Sequence, residues 1–199
     1  MIDIIKPCAS VPYNVFCEYY KKALTKNQQS IEAIFISSLD TNANEVDSRA
    51  VNLKYIIDDE WIFFSNYESK KAKDFDTHNQ ISALFYWGSI NTQIRIKAKI
   101  RRSSRKISLN HYANRSLEKN ALASSSRQSR EIGSYEDVVI NYKKTLENTE
   151  LVARLPDNWG GYSFIPYYFE FWEGHESRIN KRDAYKMNDN VWEHSFLQP

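Results

Sequence analysis

Five glycines in 199 residues are too few and too scattered for a phosphate-cradling loop. Neither a GxGxxG run nor a P-loop is present, which argues against the doubly wound nucleotide folds. Only two cysteines occur, Cys8 and Cys17, without CxxC or His-flanked spacing, so neither a disulfide framework nor a zinc site is expected. The four histidines, His78, His111, His175 and His194, form no HxH or HxxxH pair, and a structural or surface role is expected of them rather than metal ligation. No apolar run approaches the roughly 18 residues that span a bilayer. Met1–Ser10 has an apolar patch but no basic region followed by a sustained apolar core, so it does not read as a signal peptide and the expected compartment is the cytoplasm, with no membrane partner. A formal charge of +2 supplies no global field to recruit nucleic acid, and any anion site must be local.

What the chain does have is aromatic surface. Thirteen Tyr, 10 Phe and 5 Trp suit a β core, a half-wet barrel or a pocket for a flat ligand. The length fits one domain, 1–199, with a helical lead-in over 1–30.

Val15–Leu24 carries apolar residues at helical spacing. Glu32–Leu39, Ser48–Ile57 and Trp61–Phe64 read as strands joined by the polar turns Asp40–Asp47 and Asp58–Glu60, a β-meander. Ser69–Thr77 reads as a short helix with Ser69 as N-cap and Lys71, Ala72 and Phe75 on its buried side. Ile81–Trp87 is an apolar strand, and Gln93–Ile100 alternates strictly between an apolar and a basic face. Ser104–Tyr112 and Tyr135–Leu146 predict helices, with a long loop or weak helix over Arg115–Arg130 between them. Gly160–Phe196 predicts three or four strands with turns at Gly174 and Asn188–Asn190. Strands and short helices without βαβ alternation favour an antiparallel barrel of six to eight strands with helices at its ends.

Three stretches carry the chemistry. In the tail, Trp159-Gly160-Gly161-Tyr162, Glu170-Phe171-Trp172-Glu173-Gly174 and Arg178-Ile179-Asn180-Lys181-Arg182 suit a pocket for a flat ring and an anion. Lys70 and Lys71 open the helix after Ser65-Asn66, where they oppose the helix dipole by about 0.3–1 kcal/mol each. A bound phosphate would reverse that sign; without one, the segment is a solvated helix start. Arg49 and Lys54 are five apart, so in a regular strand they face opposite ways and read as surface charges; a bulge, or a phosphate near the strand end, would let both serve one site. The Arg95, Lys97, Lys99 and Arg101 face reads as solvated or covered by a partner subunit, and nucleic-acid binding there is not expected.

Arg49 to Lys54, Phe64-Ser65, Lys70-Lys71, Gln93, Gln128-Ser129, Trp172 and Arg182 follow one another as in the pyridoxamine 5'-phosphate oxidase family, which this chain resembles over Ile31–Pro199. That resemblance implies a mainly β fold with flanking helices, an antiparallel split β-barrel, and a homodimer with FMN at the interface. It implies that Arg49, Ser65, Lys70 and Lys71 hold the FMN phosphate, that Gln93, Gln128 and Trp172 line the rest of the cofactor, and that Lys54, Phe64, Ser129 and Arg182 also contact it. Lys54, Tyr112, Arg115, Lys119, Arg178 and Asn180 would bind the phosphorylated substrate, and Arg178 and Arg182 would act in catalysis. The implied reaction is oxidation of pyridoxamine or pyridoxine 5'-phosphate by dioxygen. Lys119 stands where the family has Ser, Arg178-Ile179-Asn180 where it has Arg-Leu-His, and a counterpart of the family's basic N-terminal lid is not expected. Relatives in phenazine biosynthesis share features of Ser126–Ser129 and Leu197–Pro199, which leaves another substrate as an alternative. Some split barrels bind haem without catalysis, and His175 would serve there.

Overall fold

The computed structural model describes all 199 residues, Met1–Pro199. Its nine strands are β1 (Asp3–Pro7), β2 (Ala33–Asp40), β3 (Glu45–Asp58), β4 (Glu60–Asn66), β5 (Gln80–Trp87), β6 (Thr92–Arg102), β7 (Trp159–Glu173), β8 (Lys181–Asn188) and β9 (Val191–Phe196). Six helices accompany them: α1 (Val11–Thr25), α2 (Lys70–Thr77), α3 (Arg105–Ala113), α4 (Leu117–Ser125), α5 (Tyr135–Leu146) and α6 (Thr149–Ala153).

Strand pairing runs β3-β2-β5-β6-β7, and β4 pairs with both β3 and β7, so six strands close into a ring. Every pair in that ring is antiparallel. Closure removes the open edges that would otherwise seek partners. The first half of β7 lies between β4 and β6, whereas its second half, past an irregularity opposite Lys97 and Ala98, stays paired with β6 and takes β8 on its other edge, with β9 beyond. Gly174 and Asn188–Asn190 end β7 and β8 as the turn chemistry predicted, giving three strands in the tail.

The alternation in β6 puts Ile94, Ile96, Ala98 and Ile100 in the core, where they meet Trp61, Phe63, Phe85, Phe164 and Phe169. α1 adds Phe16 to this core, its ring 4.5 Å from that of Trp61 and 5.7 Å from that of Phe85. Such aromatic pairs contribute about 0.5–1.5 kcal/mol beyond the area they bury.

Several local readings change in the fold. Ser69 is at the N-cap of α2, but its hydroxyl donates to the Asn66 carbonyl instead of accepting from the helix. Arg115–Arg130, read as loop or weak helix, contains α4, held by Asn120 and Ala121 on its buried side. Two elements were unforeseen. β1 runs parallel to β3, a pairing that depends on residues some fifty positions away, and α6 is a single turn capped by Asn148.

Candidate active site

An open cavity of about 740 Å³ lies between β3, the end of β4, the start of α2, and the α3–α4 segment. That volume is within the range of small-molecule sites, about 300–1,000 Å³. Its lining includes Arg49, Lys54, Phe64, Ser65, Lys70, Lys71, Arg115, Lys119, Gln128 and Ser129, so most of the expected cofactor and substrate residues meet there.

Arg49 and Lys54 both line it, and of the two arrangements open to them β3 adopts the bulge. Leu53 pairs with Phe63 and Tyr55 with Ile62, leaving Lys54 as the extra residue. Before it, Arg49, Val51 and Leu53 lie on the more buried side of β3; after it, the buried position is Ile56. The inserted residue resets the alternation and turns Lys54 to the side of Arg49.

Two cation groups divide the cavity. In the first, the Arg49 guanidinium donates to Ser38 Oγ at 2.6 Å and pairs with Asp47 at 2.9 Å and with the buried Asp74 at 3.5 Å. Lys70 is 3.8 Å from Asp47. Lys71 is buried, yet its ammonium meets only the hydroxyls of Ser65 and Ser69, each at 3.4 Å, and makes no salt bridge. Burial, and then Arg49, push its pKa below the usual lysine value. A buried, unpaired ammonium is costly, and an anion in the cavity would compensate it.

The second group is Lys54, Arg115 and Lys119, set around His111. Arg115 lies over the Trp159 ring at 4.5 Å, and Phe64 stacks on His111 at 3.8 Å and on Trp159 at 5.3 Å. Burial first, then Arg115, Lys54 and Lys119, hold the imidazole pKa down to about 4. Asp47, in the first group, is the only carboxylate in the lining, so this wall is cationic and flat.

The glycine pair of the tail explains how that wall is assembled. A Cβ on Gly160 would strike Tyr67 and Ser108, and one on Gly161 would strike Ser103. With hydrogen there, α3 packs directly on β7: Ser108 Oγ accepts from Gly161 N at 3.0 Å, and Ser103 N donates to Gly161 O at 2.9 Å. Thus the pair docks the helix that presents His111 and leads into Arg115. On the other side, Gln128 Oε1 accepts from Ser65 Oγ at 3.3 Å and Asn66 N at 3.4 Å, which ties the loop after α4 to β4.

Other expected residues lie elsewhere in the chain. Tyr112 does not line the cavity: it is 2% exposed, and its hydroxyl donates to the Val152 carbonyl at 3.0 Å. Neighbouring helix residues point about 100° apart, so α3 displays His111 instead. His111 had been expected to be structural or superficial; its spacing one turn before Arg115 was the available signal. Gln93, Trp172 and Arg182 are register neighbours across β6, β7 and β8, in a row outside the cavity. Arg182 donates from Nε and a terminal nitrogen to Glu170 at 2.9 and 2.8 Å. Arg178 is exposed at φ 65° in the β7–β8 turn, where Asn180 Oδ1 accepts from His175 N at 3.0 Å. His175 is exposed, and no cluster of His, Cys, Asp and Glu suited to a metal is found. No helix is long and apolar enough to cross a membrane.

The chain is similar to the pyridoxine/pyridoxamine 5'-phosphate oxidases of Coxiella burnetii (30% identity over 190 residues, 96% of each chain) and Leptospira interrogans (27% over 197 residues, 98% of this chain and 92% of that one). A form from Hydrogenovibrio crunogenus is 30% identical over 191 residues, covering 94% of this chain and 88% of the relative. Among solved structures, PhzG from Burkholderia lata, in complex with tetrahydrophenazine-1-carboxylic acid, has a TM-score of 0.88 at 24% identity, covering 96% and 93% of the two chains. A pyridoxamine 5'-phosphate oxidase-related, FMN binding protein from Nostoc punctiforme has a TM-score of 0.76 at 12% identity, covering 96% and 99%; both likenesses concern the fold. Residues 21–148 match the family model described as pyridoxamine 5'-phosphate oxidase, and residues 159–199 match the pyridoxine 5'-phosphate oxidase C-terminal dimerisation region. A cationic cavity on a closed barrel, together with matches over nearly the whole chain, places this protein in the pyridoxamine 5'-phosphate oxidase family.

Proposed function

We propose that the protein is an FMN-dependent oxidase that converts pyridoxamine or pyridoxine 5'-phosphate to pyridoxal 5'-phosphate with dioxygen as acceptor. The observation that carries this reading is Lys71, a buried ammonium without a carboxylate partner, facing a cavity with Arg49, Lys70 and Ser65. That donor set fits a phosphate monoester: four groups, all able to donate hydrogen bonds, converge on one end. Arg49, Ser65, Lys70 and Lys71 would hold the cofactor phosphate, with Gln128 and Ser129 beside it. Bound there, FMN supplies a two-electron acceptor for hydride from the substrate carbon, reoxidised by dioxygen to give peroxide.

The chain's own contribution is position and charge. Lys54, Arg115 and Lys119 anchor the substrate phosphate, and Phe64 and Trp159 offer flat surface beside it. Gln93, Trp172 and Arg182, which lie outside the cavity in one chain, would complete the site from the partner of a homodimer. The match of 159–199 to a dimerisation region supports that arrangement. Arg178, on the exposed turn of the same tail, would reach the substrate from the partner, where Arg178 and Arg182 offset negative charge on the reduced ring. The expected setting is the cytoplasm.

A second reading, the same oxidase chemistry on another substrate, is favoured by Asn180, which stands where the family carries His and accepts the His175 N–H to close its own turn. Purified protein should be yellow, should lose its colour on removal of FMN, and should release peroxide with pyridoxine 5'-phosphate. A colourless protein that gains no absorbance with added FMN refutes the flavin reading. A yellow protein that releases no peroxide with either phosphorylated vitamer moves the assignment to the second.

A further inference from the structure

His111 is the one imidazole of the cavity wall, and its surroundings prepare both of its charge states. From β3 it faces Lys54 and Tyr55, from the segment after α3 Arg115, and from α4 Lys119; Phe64 of β4 and Trp159 of β7 bring no ionisable group. Burial first, then three fixed cations with no carboxylate among them, favour the neutral imidazole.

A dianion seated among Lys54, Arg115 and Lys119 inverts that balance, because an opposite charge within about 4–6 Å moves a pKa by about 1–3 units toward the charged form. Two contacts accept the change without rearrangement. Nδ1 of His111 is 2.7 Å from the Tyr55 hydroxyl, which can donate to a neutral ring or accept from a protonated one. Phe64 lies flat against the imidazole, centroids 3.8 Å apart at 6°, so a protonated ring becomes a cation on an aromatic face.

We propose that His111 is a phosphate-ester ligand of this cavity and takes up a proton from solvent when a dianionic phosphate seats beside Lys54, Arg115 and Lys119. The proposal rests on the reading of the cavity as a site for a phosphorylated substrate, and it makes binding of that substrate tighter as pH falls toward the second phosphate pKa of about 6. Protonation adds a fourth cation to this group only when an anion is present, so the site discriminates dianionic esters from unphosphorylated rings.

Histidine C2-proton resonances of the FMN-loaded protein test this directly, with sulfate as probe because it stays dianionic across the whole titration. The His111 resonance is assigned by its loss in His111→Gln. Without sulfate, His111 should remain neutral down to about pH 5; with sulfate its midpoint should rise by about one unit or more. An unchanged midpoint overturns the proposal. Repeating the titration with pyridoxal 5'-phosphate separates the two readings. A rise with sulfate and no binding of pyridoxal 5'-phosphate keeps His111 as an anion ligand and overturns the vitamer assignment. Vitamer turnover with a His111 midpoint unmoved by either ligand overturns the His111 proposal and leaves the function standing.

Discussion

Lys54 shares a cavity with Arg49 because it is the extra residue of a bulge between Leu53 and Tyr55. One inserted residue thereby serves two cation groups: Arg49 stays with Asp47 and Lys71, and Lys54 joins Arg115 and Lys119 around His111.

Lys71→Met should weaken FMN binding by about tenfold or more, since a hydrogen bond to a charged group contributes about 1.5–3 kcal/mol. The same substitution should raise the melting temperature of the FMN-free protein, because it removes a buried, unpaired ammonium. Flavin fluorescence quenching and thermal denaturation read the two opposed effects.

Gly161→Ala should destabilise the fold by about 1–3 kcal/mol, the usual cost of overpacking. The added methyl meets Ser103 and Phe64, so α3 must lift away from β7. Urea denaturation gives the stability loss, and a weaker affinity for pyridoxal 5'-phosphate should accompany it, as His111 and Arg115 move with the helix.

Glu170 is 2% exposed and receives Arg182 on Oε1 and both Arg95 and Tyr168 on Oε2. Glu170→Ala should cost about 1–3 kcal/mol, near the lower end because Arg95 is half exposed and can be rehydrated. Glu170→Gln, which keeps the shape, should lose less. Denaturant midpoints of both variants decide this.

The depressed pKa of His111 carries a signed pH dependence. Its folded value, about 4, is below the ordinary 6.5, so above pH 6.5 both folded and unfolded chains hold it neutral and nothing is lost. Between 6.5 and 4 the unfolded chain binds a proton that the folded one refuses, and stability falls with pH. Without anions, His111→Gln should lose less stability than the parent across that window, as measured by urea denaturation at stepped pH. Parallel losses would show that His111 plays no part in it.

Much of the scaffold was legible from local pattern. Strict alternation marked β6, the Asn- and Asp-rich turns bounded β2, β3 and β8, and α5 was read at its observed limits, Tyr135–Leu146. β1 was missed because a short edge strand takes its stability from a partner far along the chain. α4 was blurred because its Ser- and Asn-rich composition favours loops until Asn120 and Ala121 are buried. At the site, Arg49, Lys70 and Lys71 were legible as a cationic set in family order, whereas His111 and Trp159 acquire their place from the docking of α3 on β7.

Sequence alone determined that the chain would build an antiparallel barrel and that Ser65, Lys70 and Lys71 would stand together at a strand end and helix start, since periodicity and charge order are written residue by residue. Tertiary structure decided which cations would face one another. The Lys54 bulge needs β4 as its partner, the neutral His111 needs burial and then three cations brought from β3, from the segment after α3 and from α4, and the Gly160–Gly161 pair shows its purpose only when a helix rests on it. Those are consequences of distance in space, and no spacing along the chain encodes them.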